Sequence, residues 1–144
     1  MNDVPENWRD WFPYDDAFRF VDDIRLLSLP SRIVTETDYR RHTGLIEAHR
    51  VASLAVIPGV LLAEQSAQSA WLLGRCSGWL RAGDGAMLGR LNCTFELPAP
   101  ASLPVTADVQ SMVREGDTAG FRVTLLSNGV QVGKVTMAVR RFNG

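Results

Sequence analysis

The sequence predicts an α+β domain in which a curved antiparallel sheet of about five or six strands wraps around one long central helix. Three observations predict it. One stretch, residues 57–80, is rich in Ala and Leu and apolar on nearly every side. As a helix it must be buried rather than laid on a surface. The segments on either side of it keep a period of two, the mark of half-buried strands. Finally, the chain has 144 residues and is 46% hydrophobic, enough for one domain with its own core. Residues 1–144 are read as that single domain, with residues 1–11 as a leader.

Each element has a local reason. Trp8 and Trp11 are expected to anchor the leader on the body. Phe18, Phe20, Ile24 and Leu26 alternate with polar residues and predict a first strand. Ile33, Thr35, Thr37 and Tyr39 predict a second. Residues 28–32, with Pro30, connect them as a hairpin. Pro58 opens the helix, where its missing N–H costs nothing, and Gly78 lies near its end. A loop at residues 81–85 leads to Met87, Gly89, Leu91, Cys93, Phe95 and Leu97, the third strand. The Pro98-Ala99-Pro100-Ala101 loop precedes Leu103, Val105, Ala107, Val109 and Val113. Glu115-Gly116-Asp117 turns the chain into Ala119, Phe121, Val123 and Leu125. Asn128-Gly129 is a strong hairpin signal because both positions tolerate positive φ. Val130, Val132, Val135, Met137 and Val139 form the last strand, with Gly133 as the expected bulge.

Composition excludes several classes. The net charge is −1, without a basic run or zinc-ligand spacing, so no nucleic-acid partner and no metal is expected. Cys76 and Cys93 are too few for a disulfide framework and are expected to be small buried apolar residues. The acidic N-terminus has no apolar core of a signal peptide. The longest apolar stretch, residues 54–62, is too short to span a membrane. A soluble cytoplasmic protein without a cofactor is the expectation.

Three segments carry a resemblance to a known family. Phe12-Pro13 followed by Phe18-Arg19-Phe20-Val21-Asp22 matches an opening pattern of Leu-Pro and Pro-Phe-x-x-Val-Asp, with Ala17 in place of the Pro. Pro58-Gly59-Val60, Glu64 and Gln68 match Pro-Gly-Val-x-x-x-Glu-x-x-x-Gln at a helix start. Phe95-Glu96-Leu97-Pro98 matches a strand end of Phe-x-x-Pro. Over roughly residues 11–142 the chain resembles the small β-hydroxyacyl-[acyl-carrier-protein] dehydratases, which have the hotdog fold. The family's Gly-His-Phe-Pro-Gly motif is represented only by His49, in Glu47-Ala48-His49-Arg50-Val51. His49 keeps the histidine but loses the flanking glycines and the Phe-Pro. It stands nine residues before Pro58, one more than the family spacing.

Dehydration needs a base for the α-proton, an acid for the leaving hydroxyl and a donor for the thioester oxygen. Imidazole suits the first, and a carboxyl among apolar side chains suits the second. The resemblance implies that His49 is the base and Glu64 the acid. It also implies that the two come from opposite subunits of a dimer, and that an acyl carrier protein presents the substrate on phosphopantetheine. Gln68, one turn beyond Glu64, is the expected support for the carboxyl. Gly59 and Val60 at the helix N-terminus are candidate donors to the thioester oxygen. His42 is the other histidine and a weaker candidate base. Trp71 is expected in the core or a tunnel wall. Arg40, Arg41, Arg50, Arg75, Arg81 and Arg90 are expected mostly on the surface, some of them facing a carrier protein.

Two other functions fit the same residues. The altered segment around His49 suits a degenerate hotdog subunit that pairs with an active homologue in a heterodimer. It also favours a specialised polyketide or polyene pathway over housekeeping fatty acid synthesis. Alternatively, a helix carboxylate could activate water in an acyl thioesterase of the same fold.

Overall fold

The computed structural model describes residues 1–47, 50, 51 and 54–143. Two strands, β1 (Asp23–Ser28) and β2 (Arg32–Thr37), form the first hairpin. A 3₁₀ turn (Tyr39–His42) runs into the short helix α1 (Thr43–Glu47). The two-residue strands β3 (Arg50–Val51) and β4 (Leu54–Ala55) pair with each other. The long helix α2 (Gly59–Cys76) follows, then β5 (Gly85–Phe95), β6 (Val105–Glu115), β7 (Thr118–Ser127) and β8 (Val130–Phe142). Six strands make one antiparallel sheet in the order β1-β2-β6-β7-β8-β5, which leaves β1 and β5 as its edges.

The core lies between α2 and the concave face of the sheet. Leu62, Ala70, Leu72 and Leu73 of α2 meet Ile33, Val105, Ala107, Val109, Phe121, Val123, Leu125, Val135 and Met137, all buried. Each fully buried Leu or Val contributes about 1.5–3 kcal/mol relative to exposure. Buried side-chain polar groups are mostly paired, the exceptions among the described residues being His42 Nε2, Trp79 Nε1 and Ser127 Oγ. Tyr39 donates to Gln65 Oε1 (2.8 Å), Gln65 Nε2 donates to the Val105 carbonyl (3.0 Å), and Thr35 and Ser69 share a hydrogen bond of 2.7 Å.

Alternation holds for β2 and β7 and breaks at bulges elsewhere. In β1 the register shifts between Ile24 and Leu26, so Ile24 and Leu27 face the core instead of Ile24 and Leu26. An extra residue on one strand turns its side chains to the other face. Phe18, expected in this strand, lies in a 3₁₀ turn (Asp16–Phe18) and is half-exposed. The shift in β5 at Gly89 puts Ala86 and Leu88, then Leu91, Cys93 and Phe95, on one face, with Met87 on the other. In β6 the shift between Ser111 and Arg114 leaves Val113 exposed. In β8 the shift falls beside Gly133, as expected, and the Thr94 carbonyl lies only 3.0 Å from where a Cβ on Gly133 would stand. Asn128 and Gly129 both take positive φ, 49° and 78°. The leader packs on the body: Trp8 is buried, and Asn2 N donates to the Leu27 carbonyl (2.8 Å). Both cysteines are only partly buried, and burial pushes the Cys76 thiol up to about 11, which leaves it unreactive.

Two expectations of burial need correction. Helix α2 is covered by the sheet, chiefly by β6 and β2, on one side only. Val60 is exposed, and Glu64, Ala67 and Trp71 are partly open, so one stripe of the helix faces outward. Strand β5 is an edge strand whose Met87, Leu88, Leu91 and Phe95 are all exposed.

Candidate active site

Glu64 stands in the second turn of α2, on the open stripe of the helix. Gln68 Nε2 donates to its Oε1 over 3.1 Å. In the structure the leader continues beyond residue 11 up to β1 at Asp23, and Gln68, itself buried, ties the helix to it. Its Oε1 accepts from Phe20 N (2.7 Å), and its Nε2 also donates to the Phe18 carbonyl (2.8 Å). The helical i, i+4 spacing therefore brings together the two residues that the sequence pairs. The clamp on residues 18–20 was not legible, because those partners lie about fifty positions away in sequence.

The segment so held carries Tyr14 against the carboxyl. A pocket of about 180 Å³ is lined by Tyr14, Glu64, Ala67, Gln68, Trp71, Ala86, Leu88 and Val139. Tyr14 and Trp71 of the lining both pack against Phe12, with ring centroids 6.0 Å and 5.0 Å from it. Burial, and then the charge of Glu64, push the Tyr14 phenol above its ordinary 10.0. Tyr14 is the site residue that sequence reading missed. The only signal was its place just after Phe12-Pro13. Ala86 and Leu88 belong to the edge strand β5, so the pocket reaches the open edge of the sheet.

Ion pairs fix the approach of the leader. Asp22 accepts from Arg41 Nε (2.6 Å) and from Asp38 N (2.6 Å), and Arg19 pairs with Asp16 (2.6 Å). Asp38 is held below its ordinary 3.8 chiefly by its hydrogen bonds from Arg40. Arg75 lies over the Trp11 ring at 4.6 Å, while Arg81 and Arg90 are exposed.

The other expected site residues are spread out. Gly59 lines a separate pocket with Leu62, Phe95 and Leu97, of about 230 Å³. A Cβ on Gly59 would stand 2.7 Å from the edge of the exposed Phe95 ring, which would have to swing aside to admit it. Val60 is exposed, one turn before Glu64. The N–H groups of Gly59 and Val60 belong to the first helical turn, which has no intrahelical acceptor for them. His49 lies outside the described residues, as do Ala48, Ala52 and Ser53. His42 is buried beside Phe20, with ring centroids 4.5 Å apart. Among the described residues, no group of three or more His, Cys, Asp or Glu side chains could hold a metal ion, and no helix is long and apolar enough to cross a membrane.

No protein-family model matches the sequence, and no curated protein sequence matches it. Solved structures do. The dehydratase heterocomplex ApeI:P from Xenorhabdus doucetiae aligns with a TM-score of 0.77 at 11% identity, covering 99% of this chain and 93% of that one. A thioesterase from Haemophilus influenzae aligns with a TM-score of 0.66 at 13% identity, covering 84% and 78%. The PaaI protein of the phenylacetic acid degradation operon of E. coli aligns at 0.66 and 14%, covering 85% and 80%. The chain has the hotdog fold: a six-stranded antiparallel sheet around a long helix, the architecture expected from the sequence.

Proposed function

We propose that this chain is a subunit of a hotdog dehydratase that converts a 3-hydroxyacyl thioester on an acyl carrier protein to the trans-2-enoyl thioester. The observation that carries the reading is the Glu64 carboxyl, held by Gln68 and facing a pocket walled by Tyr14, Trp71 and Leu88. In the proposed reaction a base, His49, takes the α-proton. The electron pair of that C–H bond becomes the second bond between the α and β carbons. The β C–O bond breaks, and Glu64 gives its proton to the departing hydroxyl, which leaves as water. Loss of the Glu64 proton and gain of one at His49 balance, and exchange with solvent restores both.

Two further features support the reading. The leader, which supplies Tyr14 to the pocket, falls within the nearly complete alignment with the dehydratase heterocomplex. The pocket also opens at the apolar edge strand β5, which suits a site completed by another subunit. Leu88, Leu91 and Phe95 of β5 are the residues a partner would cover. The partner is a second copy or a hotdog homologue. The heterocomplex among the similar structures favours a mixed dimer in which this chain supplies the Glu64 side.

A second reading, an acyl thioesterase, is favoured by the thioesterase among the similar structures. There Glu64 would activate water, and the C–S bond would break. Product analysis separates the two. Mass spectrometry on a panel of 3-hydroxyacyl carrier substrates is run with the chain alone and with a co-expressed hotdog partner, alongside Glu64→Gln and His49→Ala. An enoyl carrier product supports the dehydratase. A free acid with an intact β-hydroxyl overturns it in favour of the thioesterase. Full activity in Glu64→Gln overturns both.

A further inference from the structure

The convex face of the sheet divides into two halves of different charge. Across β1, β2 and β6, Arg25 pairs with Glu36 (2.7 Å) and Arg32 with Asp108 (2.8 Å). Strands β5, β7 and β8 contain no Asp or Glu. They carry Arg90, Arg122, Lys134 and Arg140, all exposed. Alternation puts these four on the convex side. Arg122 lies between Phe121 and Val123, and Arg140 follows Val139, all buried against the core. Arg90 stands opposite Ala138, between the buried Met137 and Val139.

The register gathers the four. Arg90 pairs with Ala138 and Arg122 with Thr136, so these two arginines flank β8, which carries Arg140 and Lys134. From strand spacing and rise, the Cα atoms of the three arginines lie about 8–14 Å apart. That spread charges a face rather than enclosing one small anion. Among the described residues the three arginines have no hydrogen-bond or ion-pair partner, and Lys134 only approaches Glu96 at 3.9 Å. The whole chain has a net charge of −1, so the patch is a local excess. Like charges on neighbouring strands repel, and a partner of opposite charge relieves them.

Met87 stands opposite Arg140 and Phe142 two residues beyond it, both exposed, so the patch has an apolar spot at one end. One ring is no platform for stacked bases. Two such side chains bury less than a lipid anchor, and a single anchor holds a membrane only marginally. Apolar spot, arginines and intervening Asn92, Thr94 and Thr136 suit a protein contact. We propose that this face docks an acidic protein, and that the protein is the acyl carrier, an identification that rests on the dehydratase reading. Leu88 and Val139 line the Glu64 pocket, and Met87 and Arg140 are their chain neighbours on the opposite face. A carrier on the patch therefore stands at the strand ends that wall the pocket.

The test uses the chain, alone and with a co-expressed hotdog partner, and two substrates: a 3-hydroxyacyl group on the carrier and the same group on free pantetheine. The variant combines Arg90→Gln, Arg122→Gln and Arg140→Gln. None of these side chains lines the pocket or has a partner to lose. KM for the carrier substrate should rise about tenfold with kcat unchanged, while the pantetheine substrate is unaffected. The affinity of a fluorescently labelled carrier, read by anisotropy, should fall by the same factor, and wild-type binding should weaken as salt is raised. Unchanged carrier affinity, or an equal loss for both substrates, would overturn the proposal. So would tighter wild-type binding to vesicles of phosphatidylcholine and phosphatidylserine than to the carrier. The single variants, each with part of the loss, carry the test if the triple variant does not fold. Failure of the dehydratase reading shows differently: wild type then leaves the pantetheine thioester intact, and the patch is judged by carrier affinity alone.

Discussion

Replacing Gln68 by Leu is the sharpest test of how the site is held. The side chain is 2% exposed and uses both of its polar atoms. Leu has nearly the same bulk, so cavity formation is a small part of the effect. Phe20 N–H is buried and loses its only described acceptor, which costs about 1–3 kcal/mol. Phe18 is half-exposed, so water can take over its carbonyl at little cost. Glu64 loses one donor but faces a pocket. The net expectation is about 1–3 kcal/mol of destabilisation, or a fall of about 3–10 °C in Tm for a domain of this size. Thermal melts followed by tryptophan fluorescence measure it. Glu64→Gln is the companion, because an amide oxygen can still accept from Gln68 Nε2. Its stability should stay within about 0.5 kcal/mol of wild type. If Gln68→Leu melts together with wild type, the clamp on the leader does not hold the fold, and the account of how Tyr14 reaches Glu64 fails with it.

The other predictions are shorter. Glu64→Gln should lower dehydration by about 10²–10⁴-fold while leaving Tm unchanged, measured by the carrier-substrate assay. Gly59→Ala should cost less than about 1 kcal/mol, because the exposed Phe95 ring can swing away from the new Cβ, read from urea midpoints. Leu91→Lys on the edge strand should convert the proposed dimer to a folded monomer, seen by light scattering with unchanged circular dichroism. His42 should make stability fall with acidity. Its folded pKa lies below 6.5, so between that value and 6.5 the unfolded chain holds more protons, and stability is lost as pH drops through this window. Burial and Arg41 drive the shift against Asp22 and the Arg19 carbonyl. Asp38, lowered from 3.8, adds its loss only at more acid pH. Urea midpoints from about pH 7.5 to about pH 5 should fall further for wild type than for His42→Phe. Parallel profiles would refute the assignment.

Local rules made much of the fold legible. The uninterrupted alternation of Ile33, Thr35, Thr37 and Tyr39, and of Ala119 through Leu125, matches buried faces because no bulge intervenes. Asn128-Gly129 made its turn for the reason the sequence supplies, two residues that accept positive φ. The misses have one cause. A bulge adds a residue without altering composition, so Leu26, Met87 and Val113 kept the right period and took the wrong face. Glycine marked two of the shifts, at Gly89 and beside Gly133, but nothing marked the shift after Ile24. In the candidate site, Glu64 and Gln68 were readable because a helix converts spacing into proximity. Tyr14 and the Phe18–Phe20 clamp were not, since they depend on where the leader lies against α2.

The helix carries the more general lesson. Its sequence looked buried on every side, yet the chain's own sheet covers one side and leaves the Val60–Glu64–Ala67–Trp71 stripe open. The apolar residues of β5 are exposed in the same region, and the pocket of Glu64 is built where the two meet. Apolar surface costs stability in water, roughly 25 cal/mol for each Å² that stays uncovered. An edge strand with Met87, Leu88, Leu91 and Phe95 exposed is also prone to unwanted pairing. A sequence keeps such a surface where something covers it. This is why the proposed function assigns the chain a partner subunit, and why the reading of Glu64 and the reading of β5 stand or fall together. If Leu91→Lys gives a folded monomer that keeps full turnover, the site is complete within one chain, and a base must then be sought among this chain's own residues near Tyr14.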